Sequence, residues 1–428
     1  MLECWNAGAV DDAASEPFHC LPSIIPLFHS SSPPVLQSSN TADPGVVSTV
    51  AKPTQDFNKY PLYSPRFWHG MRTGAFLRLL SRHRFRIHPR CWGMAVLLVP
   101  CTFFNSALYR IQQWRHGRRI NEAVIDQPPV FIIGHWRSGT TLMHELMVCD
   151  DRFTFPNTYE CFAPHHFVIS EWILPRLLSF TVPAKRPMDN MEAGFDRPQE
   201  DEFALCAMGA PTPYSRLAFP NDPYDYSEFI DADAMSEQDR QKFTDTLSWF
   251  LKSLHVHRGK RIILKSPPHT GRIGLLAKMF PGARFVHMVR HPYSLFPSTR
   301  RTWQALDAAQ SFQIPHHKNL DNYVFNGLNT MYDAFERQKA EIDPRHICQI
   351  RYEDLIEDPL GRLQFVYESL KLGDFEAARG PVEKFLSGQR DYKANRHELD
   401  PAIKDQIDQR WARYIDHYGY QATEAPIA

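Results

Sequence analysis

The sequence predicts an α/β fold, a three-layer sandwich in which a central parallel sheet is flanked by helices. Two observations carry this prediction: strand and helix patterns alternate from Val130 to Leu370, and the apolar strands end in polar loops. Strands of a parallel sheet are buried on both faces and are therefore almost continuously apolar. Ligands of such sheets bind at the carboxyl ends of the strands, which is where the polar loops lie.

The first strand, Val130–Ile133, consists of four consecutive apolar residues and leads into a loop that contains Arg137 and Gly139. Thr140 and Thr141 follow the glycine and predict a sharp turn into a helix, whose first N–H groups point at one spot and can bind an oxyanion. The planar guanidinium of Arg137 can contact two oxygens of one phosphate or sulfate group. The loop is not a Walker A motif, because no lysine follows Gly139. A plain glycine turn with a surface arginine is the alternative.

A second apolar strand, residues 284–289, runs directly into Arg290. Pro292 suits the first turn of the helix that follows. Ser298 lies eight residues after Arg290, close enough at a strand-to-helix corner for both to contact one anion. The sequence therefore predicts two separate oxyanion sites on one sheet.

Further elements follow from capping and periodicity. Ser236 begins a helix with apolar residues on one side, and this helix precedes a third strand, residues 262–264. Near the carboxyl terminus, apolar residues at spacings of four predict a helix around Ile403–Tyr418 that packs on the core.

These motifs together resemble the sulfotransferases that use 3′-phosphoadenosine 5′-phosphosulfate (PAPS), in which one loop holds the 5′-phosphosulfate and another the 3′-phosphate. The resemblance covers about residues 128–420. It implies the P-loop-like sulfotransferase fold and transfer of a sulfuryl group to an acceptor hydroxyl or amine, which leaves 3′-phosphoadenosine 5′-phosphate (PAP). The acceptor, a small molecule, a carbohydrate or a lipid, is not identified, and no metal is required.

The resemblance also implies which residues bind the donor. They are Arg137, Ser138, Gly139, Thr140 and Thr141 in the first loop, Arg290 and Ser298 in the second, Tyr352 in the stretch RYEDL, and Lys393 in a basic loop near the carboxyl terminus. Many cytosolic members have a lysine where this chain has Arg137, and the arginine is similar to the tyrosylprotein and bacterial branches.

Three residues are implied in catalysis. Arg137 would neutralise the departing 5′-phosphate, and Lys265, which follows the third strand, would contact the sulfonate or bridging oxygen. In the branches with arginine a glutamate after the first helix takes the acceptor proton, which implies Glu160. Histidine has the more suitable ordinary pKa for a base, so four histidines remain alternatives. They are His135, His165, His166 and His269. In the acidic run Glu200–Glu202, Asp201 or Glu202 is expected to bond a basic loop rather than a metal.

Composition excludes several classes. The 48 basic and 48 acidic residues give no support for nucleic-acid binding. The eight cysteines form no Cys-x-x-Cys pair, which argues against a disulfide framework and a zinc site. The first residues include Glu3, Asp11 and Asp12 rather than a basic stretch before an apolar one, so a cytoplasmic protein is expected.

The chain is expected to have three parts: a mostly disordered tail over 1–58, a basic, aromatic-rich helical extension over 59–127, and a catalytic domain over 128–428. Residues 59–119 contain twelve Lys and Arg and no Asp or Glu. Trp92–Phe104 is an uncharged run of thirteen residues, shorter than the roughly 20 that span a bilayer. A transmembrane helix is therefore not expected. This segment is a peripheral membrane platform, a cap over an anionic or lipid-like acceptor, or an extension packed on the core, and in the first case the protein is membrane-associated.

Two other functions remain open at this stage. One is a magnesium-dependent phosphotransferase with a divergent P-loop, against which the missing lysine counts. The other is a non-catalytic nucleotide-binding adaptor at a membrane, which the basic segment would suit. The sequence does not indicate the oligomeric state.

Overall fold

The computed structural model describes residues 64–181, 194–388 and 399–420. The predicted tail over 1–58 and the predicted donor-binding residue Lys393 lie outside the described residues. The division between an extension and a catalytic domain at residue 127 stays a prediction.

The sheet contains five parallel strands, β1 Val130–Ile133, β2 Phe153–Thr154, β3 Arg261–Lys265, β4 Arg284–Val289 and β5 Ile347–Arg351. Their order across the sheet is β2-β3-β1-β4-β5. In the central strand, Ile132 pairs with Lys265 on one side and with Val286 on the other. The two predicted anion loops therefore leave adjacent strands at the same edge, and the predicted parallel sheet is confirmed.

Helices connect and cover the strands. The α-helices of the described chain are α1 Thr73–Arg82, α2 Trp92–Glu122, α3 Thr140–Met147, α4 Thr158–Phe162, α5 Phe167–Ser170, α6 Leu174–Leu178, α7 Asp201–Met208, α8 Glu237–Arg258, α9 Ile273–Met279, α10 Pro292–Gln310, α11 Leu320–Lys339, α12 Tyr352–Glu357, α13 Pro359–Leu370, α14 Glu376–Gly388, α15 Pro401–Arg410 and α16 Ala412–Tyr418. Short 3₁₀-helices lie at Phe67–Gly70, Pro89–Cys91, Ser179–Thr181, Pro213–Ala218, Ser227–Phe229, Pro267–Arg272 and Pro344–His346.

Alternate residues of β1 contribute to two different apolar clusters. Val130 and Ile132 belong to a cluster that includes residues of α3, α13 and α14. Phe131 and Ile133 belong to a cluster that includes residues of α8 and α11. Because successive side chains of a strand point to opposite faces, the sheet is covered on both sides. The predicted three layers are confirmed.

The aminoterminal helices pack on the sheet domain. The Trp68 indole donates a hydrogen bond to the carbonyl of Gln310 at 2.6 Å, and Asn105 of α2 donates to the carbonyl of Met71 at 3.0 Å. The helix α2 has 31 residues, and its uncharged stretch continues past Phe104 to Tyr109. Among the described residues, one helical span, Pro89–Glu122, is long and apolar enough to cross a membrane, judged by length and composition alone. Only 22% of its most apolar 18-residue stretch is buried in the protein.

Candidate active site

The loop after β1 has three residues with positive φ: Gly134 at 140°, Arg137 at 70° and Gly139 at 96°. A Cβ at Gly139 would overlap the ring of Tyr352. Glycine is therefore required there both for backbone conformation and for space. For Arg137 the left-handed conformation is strained by about 1–3 kcal/mol, and such strain is characteristic of functional loops.

Several groups of this loop can bind an anion. The Ser138 hydroxyl is buried and has no hydrogen-bond partner within the described residues. A buried hydroxyl without a partner calls for a ligand or water. Gly139 caps α3 in a left-handed conformation, so the N–H groups of Thr140 and Thr141 lie in the first helical turn, where they have no intrahelical partner. These donors surround the end of β1.

The two predicted anion loops contact each other. Nε of Arg137 donates a hydrogen bond to Oγ of Ser298 at 3.0 Å. A terminal nitrogen of Arg290 donates to the carbonyl oxygen of Arg137 at 2.9 Å. The sequence predicted two separate oxyanion sites, and the structure joins them through these two hydrogen bonds because β1 and β4 are neighbours.

Arg290 is held from several sides. Its backbone N–H donates to the Tyr414 hydroxyl at 3.1 Å, and that hydroxyl donates to its carbonyl at 2.8 Å. The adjacent N–H of His291 donates to a Glu353 carboxylate oxygen at 2.9 Å. The Arg290 guanidinium carbon lies 4.1 Å from the centre of the Tyr352 ring, a cation–π geometry. Tyr352 thus lies against both loops, and its role in donor binding stays a prediction.

Lys265 ends β3 beside the first loop and is 2% exposed. Its Nζ donates to Oε1 of Glu200 at 2.7 Å. The other Glu200 oxygen accepts a hydrogen bond from the Tyr214 hydroxyl at 2.5 Å, and the Trp136 indole donates to the Tyr214 oxygen at 2.8 Å. Trp136 precedes Arg137, so this network links the first anion loop to Lys265. The Glu200 side chain remains 14% exposed.

Each residue of the acidic run Glu200–Glu202 has its own basic partner. Asp201 lies 2.7 Å from Nε2 of His269, and Glu202 accepts hydrogen bonds from both terminal nitrogens of Arg272 at 2.9 and 3.1 Å. These basic partners lie in the turn after β3. The predicted bonding of Asp201 and Glu202 to a basic loop is confirmed, and it fixes the start of α7 against the end of β3.

Glu160 lies in a different environment. Its side chain is fully buried, accepts a hydrogen bond from the Asn157 N–H at 2.8 Å and forms an ion pair of 3.0 Å with Arg258. Burial raises the pKa of Glu160 to about 7, against the opposing effect of Arg258. Within the described residues, the hydrogen bonds of the Glu160 carboxylate come from Asn157 and Arg258, and none comes from Lys265 or Arg137.

Glu160 also belongs to a cluster with Glu171 and His257 whose oxygen and nitrogen atoms lie close enough to hold a metal ion. Arg258 donates to both carboxylates, at 3.0 Å to Glu160 and 2.8 Å to Glu171. The guanidinium therefore supplies the positive charge that these carboxylates need. That catalysis requires no metal stays a prediction.

The histidines proposed as alternative bases are buried. Burial lowers the pKa of His135 to about 3 and that of His166 to about 4. Burial also lowers the pKa of His165 well below its ordinary value. A base with so low a pKa is a poor proton acceptor near neutral pH. His269 is bound to Asp201, as described above, in a fully buried position.

Comparison with known proteins decides the family. The profile of the sulfotransferase family matches residues 128–376. The chain belongs to the sulfotransferase family. This sulfotransferase is 42% identical over 353 residues to the omega-hydroxy-beta-dihydromenaquinone-9 sulfotransferases Stf3 of Mycobacterium bovis and Mycobacterium tuberculosis, and the match covers 82% of this chain and 91% of each relative.

Solved structures agree on the fold. Sulfotransferase STF9 from Mycobacterium avium superimposes with a TM-score of 0.60 at 17% identity, over 82% of this chain and 97% of that one. Sulfotransferase STF1 from Mycobacterium tuberculosis gives a TM-score of 0.55 at 17% identity, over 79% and 90%. The predicted sulfotransferase fold and enzyme class are confirmed. This sulfotransferase transfers a sulfuryl group, and the comparisons give no support to the phosphotransferase or the silent adaptor.

Proposed function

We propose that this sulfotransferase moves the sulfuryl group of PAPS to a hydroxyl of a lipid-like acceptor, on the cytoplasmic side of a membrane and without a metal. The observation that carries the donor assignment is the convergence of Arg137, Ser298 and Arg290 at one corner of the sheet. The lipid class follows from the relatives, whose name specifies a hydroxylated dihydromenaquinone.

The donor fits the groups present. The Ser138 hydroxyl and the N–H groups at the start of α3 suit the 5′-phosphate, with the guanidinium of Arg137 beside them. Arg290 and Ser298 suit the 3′-phosphate, because a guanidinium and a hydroxyl there are already held by neighbouring side chains. Lys393 would close over the same phosphate, as the family resemblance implies.

In the transfer, the acceptor oxygen forms a bond to sulfur while the bond from sulfur to the 5′-phosphate oxygen breaks. The electron pair of the broken bond stays on that phosphate oxygen. Arg137 and the amides of the first loop neutralise this charge, and Lys265 contacts the sulfonate or bridging oxygen. Such catalysis consists mainly of positioning and charge stabilisation, as in phosphoryl transfer.

The acceptor proton needs a base, and we propose Glu200 for this role. Its carboxylate is partly exposed and is hydrogen-bonded to Lys265, which places it beside the reacting sulfonate. Glu160, which the resemblance implied, stays a prediction that the comparisons do not test. Its full burial favours Glu200, whose side chain is 14% exposed, since an acceptor hydroxyl must reach the base.

The basic and aromatic segment 59–119 is proposed as a peripheral membrane contact. A lipid acceptor stays in the bilayer, so an enzyme that uses it must work at the membrane surface. The twelve basic residues of this segment, with no acidic residue, suit an anionic surface.

The function is tested by incubating the purified protein with PAPS and an ω-hydroxylated dihydromenaquinone in detergent, followed by mass spectrometry. We expect an acceptor product heavier by one sulfuryl group and an equal amount of PAP, both lost with Arg290→Ala. PAP release with no sulfated quinol would contradict the lipid acceptor. Phosphorylation of the acceptor from ATP and magnesium would contradict sulfuryl transfer itself.

A further inference from the structure

An apolar surface built from two separate segments goes beyond the proposed transfer reaction. We propose that the exposed side chains of α2 and of residues 172–180 form one surface that lies flat in the interface of an anionic lipid bilayer. The term docking surface is used below for these two segments together. Residues 172–180 lie outside the basic segment that the sequence singled out.

The apolar side of α2 faces solvent rather than the core. Leu97 is 72% exposed and Phe103 is 60% exposed, and Trp114 farther along the helix is 87% exposed. The opposite face is buried and includes Leu98 and Asn105. A surface helix of a soluble protein normally turns polar residues outward and apolar residues inward. The arrangement of α2 therefore favours an apolar partner on its outer side.

The second segment continues this apolar surface. Trp172 is 67% exposed, Leu177 is 60% exposed and Phe180 is 72% exposed. The segment follows α5 in the chain. The residue before α5, His166, contacts α2. Nε2 of His166 lies 3.1 Å from Oδ1 of Asn105, and the His166 ring meets the Phe104 ring edge-on at 6.2 Å. The second segment therefore begins six residues after a residue that contacts α2.

Positive charge flanks the apolar part of α2 at both ends. Before the helix Arg84, Arg86 and Arg90 are exposed, and toward its end Arg110 and Arg119 are exposed. No Asp or Glu occurs between residues 59 and 119. A second copy of the chain docked here would place these basic groups next to the same basic groups of the other copy, and like charges repel. Anionic lipid head groups complement them, so the charge pattern favours a bilayer over a dimer.

The contacts of α2 favour an in-plane position. Thr102 Oγ1 lies 3.3 Å from Thr73 Oγ1, and Asn105 donates to the backbone carbonyls of His69 and Met71 at 2.5 and 3.0 Å. A helix that spans the bilayer would have to leave these polar contacts. Lying in the interface, α2 keeps them and inserts only its outer face, to a depth of about 5–10 Å.

The docking surface is connected to the active site by buried aromatic side chains. Phe67, in the 3₁₀-helix that packs against α2, stacks on Phe203 at 4.2 Å and on Tyr214 at 6.4 Å between ring centres. Tyr214 is hydrogen-bonded to the proposed base Glu200. These packed contacts fix the position of the docking surface relative to the active site, a consequence that rests on the proposed function.

Vesicle flotation of the full-length protein tests the docking surface without any assay of catalysis. The double variants are Leu97→Glu with Phe103→Glu on α2 and Trp172→Glu with Phe180→Glu on the second segment. Phe365→Glu on α13 is the matched control, because Phe365 is also an exposed apolar residue, at 47%. The vesicles are phosphatidylcholine, alone or mixed with phosphatidylglycerol.

We expect wild type and Phe365→Glu to float with the anionic vesicles, and each double variant to bind at least about tenfold less, since charged side chains oppose insertion of an apolar face. Circular dichroism and thermal unfolding should be alike in all four proteins, which shows that the variants are folded without assuming the proposed donor. Wild type that stays unbound, or a Trp172/Phe180 variant that floats like wild type, would overturn the proposal. A wild-type dimer that these substitutions dissociate would overturn it as well.

Because the variants above insert charges, a substitution that keeps the surface apolar provides a second measurement. Brominated phospholipids quench tryptophans that enter the interface, and the fluorescence of Trp172 should be quenched. Equal quenching in wild type and Trp172→Phe would contradict the place of the second segment in the docking surface.

Discussion

Nζ of Lys265 lies 2.7 Å from Oε1 of Glu200. The lysine ends the strand next to the first anion loop, and the glutamate immediately precedes α7. The acidic residues that follow Glu200 are bonded to the turn after the same strand. This arrangement fixes the carboxylate beside the lysine before any substrate binds, and it is the reason for which Glu200 is proposed as the base.

The first prediction concerns Glu200. Glu200→Gln keeps the side-chain shape but removes the proton acceptor, so kcat should fall by about 10²- to 10⁴-fold. The affinity for PAP should stay within a factor of about two, because Glu200 carries no proposed donor contact. Turnover with saturating PAPS and calorimetric titration with PAP measure these two quantities.

Glu368→Gln is the matched control, since Glu368 is an exposed carboxylate on α13. If Glu200→Gln retains wild-type kcat while Glu160→Gln loses it, the base is Glu160 and our assignment fails.

The second prediction concerns Ser298. Ser298→Ala removes the hydroxyl that accepts the Arg137 hydrogen bond of 3.0 Å, and it also removes a proposed contact to the 3′-phosphate. Hydrogen bonds to charged groups contribute about 1.5–3 kcal/mol, so the Kd for PAP should rise by about 10- to 100-fold. Ser387→Ala, on the exposed end of α14, should leave it unchanged. An unaltered Kd for the Ser298 variant would remove that residue from the donor site.

The third prediction concerns the first loop. Gly139→Ala places a methyl group against the Tyr352 ring at a φ of 96°, so the loop must shift and PAP binding should weaken by at least about tenfold. Gly93→Ala in the first turn of α2 has open space around its Cβ and should leave stability equal or raise it by up to about 1 kcal/mol. Thermal unfolding and PAP titration of both variants check this. Wild-type affinity in Gly139→Ala would mean that the loop conformation does not matter for the donor.

The fourth prediction concerns pH and Glu160. Its folded-state pKa of about 7 lies above its ordinary value of 4.5, so between these pH values the folded state binds more protons than the unfolded state. The free energy of unfolding should therefore fall as pH rises from about 4.5 to 7, by an amount on the order of 3 kcal/mol from this group. Glu160→Gln does not titrate and should lack this part of the decline.

Denaturant unfolding of wild type and Glu160→Gln at pH 5 and pH 8 measures the effect. The free energy of unfolding of the variant, relative to that of wild type, should be higher at pH 8 than at pH 5. A difference that is the same at both pH values would show that burial does not raise this pKa.

Local patterns predicted the strands of the sheet and the turns that follow them, because strand, turn and helix signals depend on adjacent residues. The strand 284–289, the proline at the start of α10 and the cap at Ser236 are found where the sequence placed them. One helix was predicted around 403–418, but Trp411, with φ −111° and ψ 17°, separates α15 from α16. The sequence pattern gave no sign of this break, because the spacing of four between apolar residues continues across it.

The partners of the site residues could not be predicted from spacing. Glu200 and Lys265 are 65 residues apart, and Tyr414 meets Arg290 across 124 residues. Their approach depends on the order of the strands in the sheet, which no local motif encodes. The acidic run Glu200–Glu202 was visible in the sequence, but only the fold gives each acidic residue its separate partner.

The most direct test of the central claim, that the corner of Arg137, Ser298 and Arg290 is the donor site, is calorimetric titration of PAP into wild type and Arg290→Ala, with ATP and magnesium titrated in parallel. We expect tight binding of PAP to wild type, a Kd at least about 100-fold higher for Arg290→Ala because a charged contact to phosphate is lost, and no comparable binding of ATP. PAP that binds both proteins equally, or ATP that binds where PAP does not, would contradict the assignment of this corner to the sulfuryl donor.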